Sequence, residues 1–115
     1  MTRSDIAARV LAGLTSGELR TSVAWLARRE LAAATTVTLD RTEVEVPWPA
    51  LLAFIDLQPA ANWGHPCRYL LVARDSGEIR TVEAAFPPFR RGAVDDWELI
   101  WRGEAVPDWA IAGRQ

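Results

Sequence analysis

The sequence predicts an α+β fold, with two N-terminal helices packed on an antiparallel β-sheet of about four to six strands. Three observations carry this. Apolar residues recur at helical spacing up to residue 34, and the period then shortens to two. Clusters of Pro and Gly cut the second part into short segments, as turns between strands do. The 115 residues fit a single domain (1–115), helical over 1–34 and mainly β over 35–115. Half of them are hydrophobic and 24% charged, enough apolar surface to exclude a disordered chain.

The first helix is expected to start at Ser4 or Asp5, whose side-chain oxygen can take a free amide of the first turn. Ile6, Val10, Leu11 and Leu14 share its apolar face, and Gly13 suits its end. Thr15-Ser-Gly-Glu18 reads as a capping box opening a second helix. There Leu19, Val23, Leu26 and Ala27 form one stripe, which Ala33 or Ala34 extends.

From residue 35 the alternation predicts strands. Thr36–Leu39 and Glu43–Val46 flank a turn at Asp40-Arg-Thr42, with Val44 and Val46 inward and Glu43 and Glu45 outward. Pro47-Trp-Pro49 ends that hairpin, because proline cannot donate to a ladder. Ala50–Leu57 fits a buried strand by its length and its Phe-Ile pair, although Pro49 would also suit the first position of a helix. Residues 58–66 form a loop with two prolines and a glycine. Cys67–Ala73 and Glu78–Glu83 pair around Asp75-Ser-Gly77, whose glycine can take positive φ. Phe86-Pro-Pro-Phe89 breaks the sheet, and residues 90–96 make a polar connection. Trp97–Trp101 is a last strand, its two tryptophans placed on one face by their spacing, and Pro107-Asp-Trp109 begins an irregular or briefly helical tail.

Charge narrows the function. Thirteen basic residues, all Arg, stand against fifteen acidic ones, a net charge of −2. That balance argues against generic nucleic-acid binding, which needs a positive field to displace counterions from phosphates. It argues equally against electrostatic recruitment to anionic membranes. The all-Arg usage, beside 19 Ala, reads as the codon bias of a GC-rich genome. No signal peptide is read at the N-terminus and no run reaches the roughly 18 apolar residues of a membrane span, so the cytoplasm is the expected location. A single Cys and a single His cannot close a four-ligand zinc site. No phosphate-binding loop, dinucleotide fingerprint, metalloprotease helix or nucleophile elbow is present. No cofactor and no metal are expected.

Asn62-Trp-Gly-His-Pro-Cys-Arg-Tyr69 is the segment densest in reactive and contact-forming residue types. Its chemical reading is a nucleophilic pair, Cys67 activated by His65. Two residues along an extended chain lie about 6.6 Å apart, whereas a nucleophile and its base need about 2.6–3.2 Å. Pro66 stiffens the backbone between them. Its structural reading has Trp63 packing, His65 bonded to backbone and Cys67 as a small core residue. Its binding reading is a rigid contact loop presenting Trp, His and Arg. Six tryptophans also supply candidate anchors, and at least one of Trp48, Trp63 and Trp109 is expected at the surface beside its turn residue. Phe86-Pro-Pro-Phe89-Arg-Arg91 lacks the spacing of a polyproline ligand, and Asp95-Asp96 with Glu98 has no second cluster to complete a metal or acid–base site.

Two family resemblances touch parts of the chain. Residues 15–47 resemble the helix-plus-wing layout of a winged helix, with Thr36–Val46 as the wing. That resemblance implies nucleic-acid binding, although only Arg28 and Arg29 would face the nucleic acid. Tyr69-Leu-Leu-Val-Ala-Arg-Asp-Ser-Gly-Glu-Ile79 resembles the strand–turn–strand end of PepSY-type propeptide domains, which implies an inhibitory or chaperone-like role.

The residues together point to a small non-enzymatic interaction module, an accessory or inhibitory partner of another protein. It would present loop 58–68 and the 86–91 turn, with Trp63, His65, Arg68, Phe86, Phe89 and Arg90 as contact residues. The rivals are an enzyme built on His65 and Cys67, and a winged-helix-like nucleic-acid binder. Exposed sheet edges leave homodimerisation open.

Overall fold

A computed structural model describes residues 1–61, 64–89 and 94–111. Helix α1 (Arg3–Ala12) is followed by the single-turn-and-a-half α2 (Ser16–Thr21). Seven strands come next: β1 (Val23–Ala27), β2 (Thr36–Leu39), β3 (Thr42–Glu45), β4 (Ala50–Asp56), β5 (Cys67–Ala73), β6 (Ile79–Ala84) and β7 (Trp97–Arg102). A short 3₁₀ turn covers Asp108–Ala110. Five strands form one antiparallel sheet in the order β6-β5-β4-β1-β7, and β2-β3 form a separate hairpin. The fold is therefore α+β, with two N-terminal helices and a sheet inside the expected range of strand number.

Both helices start on capping boxes. In α2 the box is Thr15 with Glu18; in α1 the cap is Thr2 with Asp5, upstream of the expected Ser4 or Asp5. Asp5 serves as the reciprocal acceptor, taking the Thr2 amide at 2.9 Å.

The second helix does not continue to residue 34: it stops at Thr21, and Val23–Ala27 is a strand inside the large sheet. The Ser22 hydroxyl donates to the Glu18 carbonyl at 2.5 Å and Thr21 Oγ1 to the Gly17 carbonyl at 3.1 Å. Side chains that bond the preceding turn compete with helix propagation. Val23-Ala-Trp-Leu is then buried on both faces, so its apolar run belongs to a covered strand and not to a helical stripe. The helix that a winged-helix layout needs in residues 22–34 is absent. There the chain turns, with Ala34 at φ 68° and Leu31 bridging to Ala50.

The sheet is covered on both sides. Ile6, Val10 and Leu14 of the helical layer pack on Leu26, Leu51, Ala53, Ile55, Leu70 and Val72. The opposite face presents Trp25, Phe54, Cys67 and Tyr69 to Leu39 of the hairpin and to Val106 and Ile111 of the C-terminal segment. Strand β4 shows the rule: Leu51, Ala53 and Ile55 face the helices, while Phe54 faces the other way. Trp97 and Trp101 do not share a face, contrary to the spacing argument. The β1–β7 register slips at Ala24/Trp25, so Ala24 opposes Trp101 while Trp25 opposes Leu99. The extra residue turns Ile100 and Trp101 toward the helices and leaves Trp97 with Phe54.

Candidate interaction groove

The face away from the helices carries an open groove of about 920 Å³. One wall is β2 and its turn, Val37 to Asp40; the other is Phe86-Pro-Pro-Phe89; Leu52, Tyr69 and Trp97 lie beneath, with His65 at one end.

The turn that ends β2 places its wall. Asp40 adopts φ 60°, the left-handed conformation a two-residue hairpin turn requires and that Asp tolerates. Its carboxylate accepts the Ala85 amide at 3.1 Å. The facing segment is held twice more. The His65 amide donates to the Ala85 carbonyl at 2.8 Å, and the Tyr69 hydroxyl donates to the Phe86 carbonyl at 2.9 Å. Three separate elements thus fix two consecutive residues just past the end of β6. Gly64 lies under the Phe86 ring, where a Cβ would come within 3.0 Å of Cζ. The Arg41 guanidinium stands 5.8 Å from the centre of the same ring, within cation–π range.

Phe86 is 45% exposed and stands at the mouth of the groove. Phe89, three prolyl-stiffened positions along, turns inward instead. Its ring meets Trp25 at 5.0 Å, Trp97 at 5.6 Å and Phe54 at 5.7 Å, all edge to face. The Pro-Pro dipeptide fixes φ and lacks amide donors, so this segment leaves the ladder and lies over the aromatic cluster.

His65 is buried, and its Nε2 lies 2.8 Å from Asp56 Oδ1. The same carboxylate oxygen accepts the Gln58 amide at 3.0 Å. Burial pushes the Asp56 carboxyl above its ordinary value, against the pull of His65 and of these hydrogen bonds. The pair ties both ends of loop 57–66 together, an effect reinforced by the Leu57 amide bonding to the Pro66 carbonyl. Cys67 is fully buried. Burial, with the charges of Asp56, Asp40 and Glu83, pushes its thiol up to about 12. A thiol in that setting is a packing residue at neutral pH, and the histidine ring is engaged with Asp56.

Of the expected contact residues, His65, Phe86 and Phe89 come together at the groove. Arg68 does not. Alternation along β5 turns it to the helical face, where it bridges Glu18 at 3.0 Å and Glu83 at 3.1 Å. Trp63 and Arg90 lie outside the described residues, as do Arg91, Gly92 and Ala93. Trp109 is 69% exposed, as the tail composition suggests, whereas Trp48 packs beside Val46, Ala50 and Leu71. Sequence reasoning missed Asp40, Asp56 and Tyr69. Each builds the site through one side-chain hydrogen bond across a gap of 9 to 45 positions, a relation that local spacing does not encode.

No group of three or more His, Cys, Asp or Glu among the described residues could hold a metal ion. No described helix is long and apolar enough to cross a membrane. No protein-family model, curated protein or solved structure matches the chain.

Proposed function

We propose that this protein is a non-enzymatic interaction module that binds another protein at the groove between β2 and the 86–89 segment. The observation that carries the reading is Phe86, a large apolar ring left nearly half exposed although its backbone is fixed by its neighbours. A fixed exposed aromatic offers contact area with few torsions left to freeze, the property of interface anchors. Ala61, in the segment after β4, lines the same groove, and the buried Asp56–His65 pair joins Asp56 at the end of β4 to His65 just before β5.

The test is affinity capture from the native host with Phe86→Asp. Trp109→Asp serves as control, because Trp109 is exposed outside the groove. Phe86→Asp is expected to abolish capture while the protein still unfolds cooperatively, and Trp109→Asp to leave capture intact. Capture that survives Phe86→Asp would overturn the reading.

A further inference from the structure

Strand β2 and its turn line the groove with four consecutive residues, Val37 to Asp40. Side chains alternate across a strand, so consecutive residues line one cavity only along the strand's edge. That edge is unpaired. Leu39 and Thr42 close the two-residue turn, and the Val46 amide donates to the Thr35 carbonyl at 2.8 Å. Residues 37 and 39 therefore exchange bonds with β3 and the Thr35 carbonyl faces the same way, while the amides and carbonyls of Thr36 and Thr38 point the other way. Among the described residues no backbone group meets them.

The two faces of the hairpin differ in chemistry. Val37 and Leu39 point into the core side, whereas Thr36 and Thr38 are exposed. Opposite these threonines stand Glu45 and Glu43, both exposed and in no ion pair among the described residues. A strand added to β2 would lie about 4.8 Å from it and about 10 Å from β3. Its residues beside Val37 and Leu39 would enter the groove. Its residues beside Thr36 and Thr38 would share the outer face with the two glutamates, within joint reach of a Lys and a Glu side chain.

The geometry points to a specific occupant: an extended peptide segment of alternating apolar and basic residues that adds to β2 as a third strand. Main-chain bonds to Thr36 and Thr38 give affinity; apolar side chains in the groove and cations facing Glu43 and Glu45 give direction and selectivity. This rests on the groove being the binding surface, as proposed above, and names the partner segment it takes.

The probe is a synthetic octapeptide of alternating Val and Lys, titrated into the full chain by calorimetry. Saturable binding is expected, about tenfold weaker for Thr38→Pro, which removes one outward amide and none of the bonds to β3. Should Thr38→Pro fail to fold, the peptide N-methylated at alternate residues replaces it. The N-methyl set that blocks the β2-facing amides is expected to lose binding to the unaltered protein. A Val–Glu peptide is expected not to bind, and binding of the Val–Lys peptide is expected to fall with salt. No saturable binding, or binding indifferent to N-methylation and to the Lys-to-Glu exchange, overturns strand addition. Host-partner capture that is lost in Phe86→Asp but unchanged in Thr38→Pro would keep the groove as an interface and reject strand addition alone.

Discussion

Raising the pH from 8 to 10 interrogates the surroundings of Cys67. In the folded protein its thiol loses the proton near 12, while the unfolded chain releases it near the ordinary value of 9.0. The fold therefore favours the neutral thiol, and the unfolded state gains charge first. Stability is level below pH 9, falls between 9 and 12, and drops by about 4 kcal/mol once both states are ionised. At pH 10 the share already lost is roughly 1 kcal/mol. Tyr69, also pushed up by burial, adds to the loss above its ordinary value of 10.0, so the window from 8 to 10 isolates the thiol best. The assay is urea unfolding followed by tryptophan fluorescence, with Cys67→Ala alongside. The small cavity left by removing the sulfur adds a cost that does not depend on pH. The decisive quantity is the difference in slope: the unaltered protein should lose roughly 1 kcal/mol more than Cys67→Ala between pH 8 and 10. Parallel pH profiles would refute the argument. So would rapid modification of Cys67 by a thiol reagent at neutral pH without unfolding, the behaviour of an activated nucleophile.

Three further outcomes follow from the geometry. Tyr69→Phe keeps the ring against Phe54 but removes the bond to the Phe86 carbonyl; a loss of about 1 kcal/mol, or about 4 °C in Tm, is expected by calorimetry. Gly103→Ala would set a Cβ 2.2 Å from the Arg20 carbonyl oxygen, so the C-terminal crossing must shift, and a loss of more than about 2 kcal/mol is expected in denaturant melts. Arg68→Ala removes a partly exposed bridge to Glu18 and Glu83; stability should fall by less than about 1 kcal/mol, the effect should shrink with added salt, and capture of a groove-bound partner should be unchanged.

Local signals in this chain were legible where one element decides its own form. The Thr15–Glu18 capping box, the Gly13 stop, the Asp40 turn and the Gly77 turn at φ 74° all depend on a few adjacent residues. So does the Cys67–Ala73 strand with its return, where alternation and turn chemistry agree. Val23–Ala27 was not legible, because its apolar residues fit a helical stripe as well as a strand. What decides is pairing with β4 and β7, contributed from about 30 and 75 positions further on. Trp97 and Trp101 show the same limit in another form. A bulge is set by how two strands meet, and it reverses a face assignment that spacing alone makes confidently. Within the site, the aromatic and proline residues announced themselves by type. Whether a ring faces out, as Phe86 does, or in, as Phe89 does, follows from the Tyr69 bond and the Trp25–Phe54–Trp97 cluster.

The two walls of the groove are held by different means, and this bears on how a partner would use it. The hairpin wall is anchored by Leu39 and Val46, both buried, so its displacement exposes apolar surface. The Phe86 wall is anchored at its far end by Phe89 in the aromatic cluster, while Ala85 and Phe86 themselves are exposed and tied by single hydrogen bonds to Asp40, His65 and Tyr69. Each such bond contributes only about 1 kcal/mol net at a solvent-accessible site. The two walls thus hold the groove by different chemistry, apolar burial under the hairpin and three hydrogen bonds with the Phe89 anchor along the Phe86 segment. A segment bound as proposed would meet a row of donors and acceptors on one side and a held aromatic on the other. Register would be set by the hairpin, and the choice of apolar side chain by the ring of Phe86.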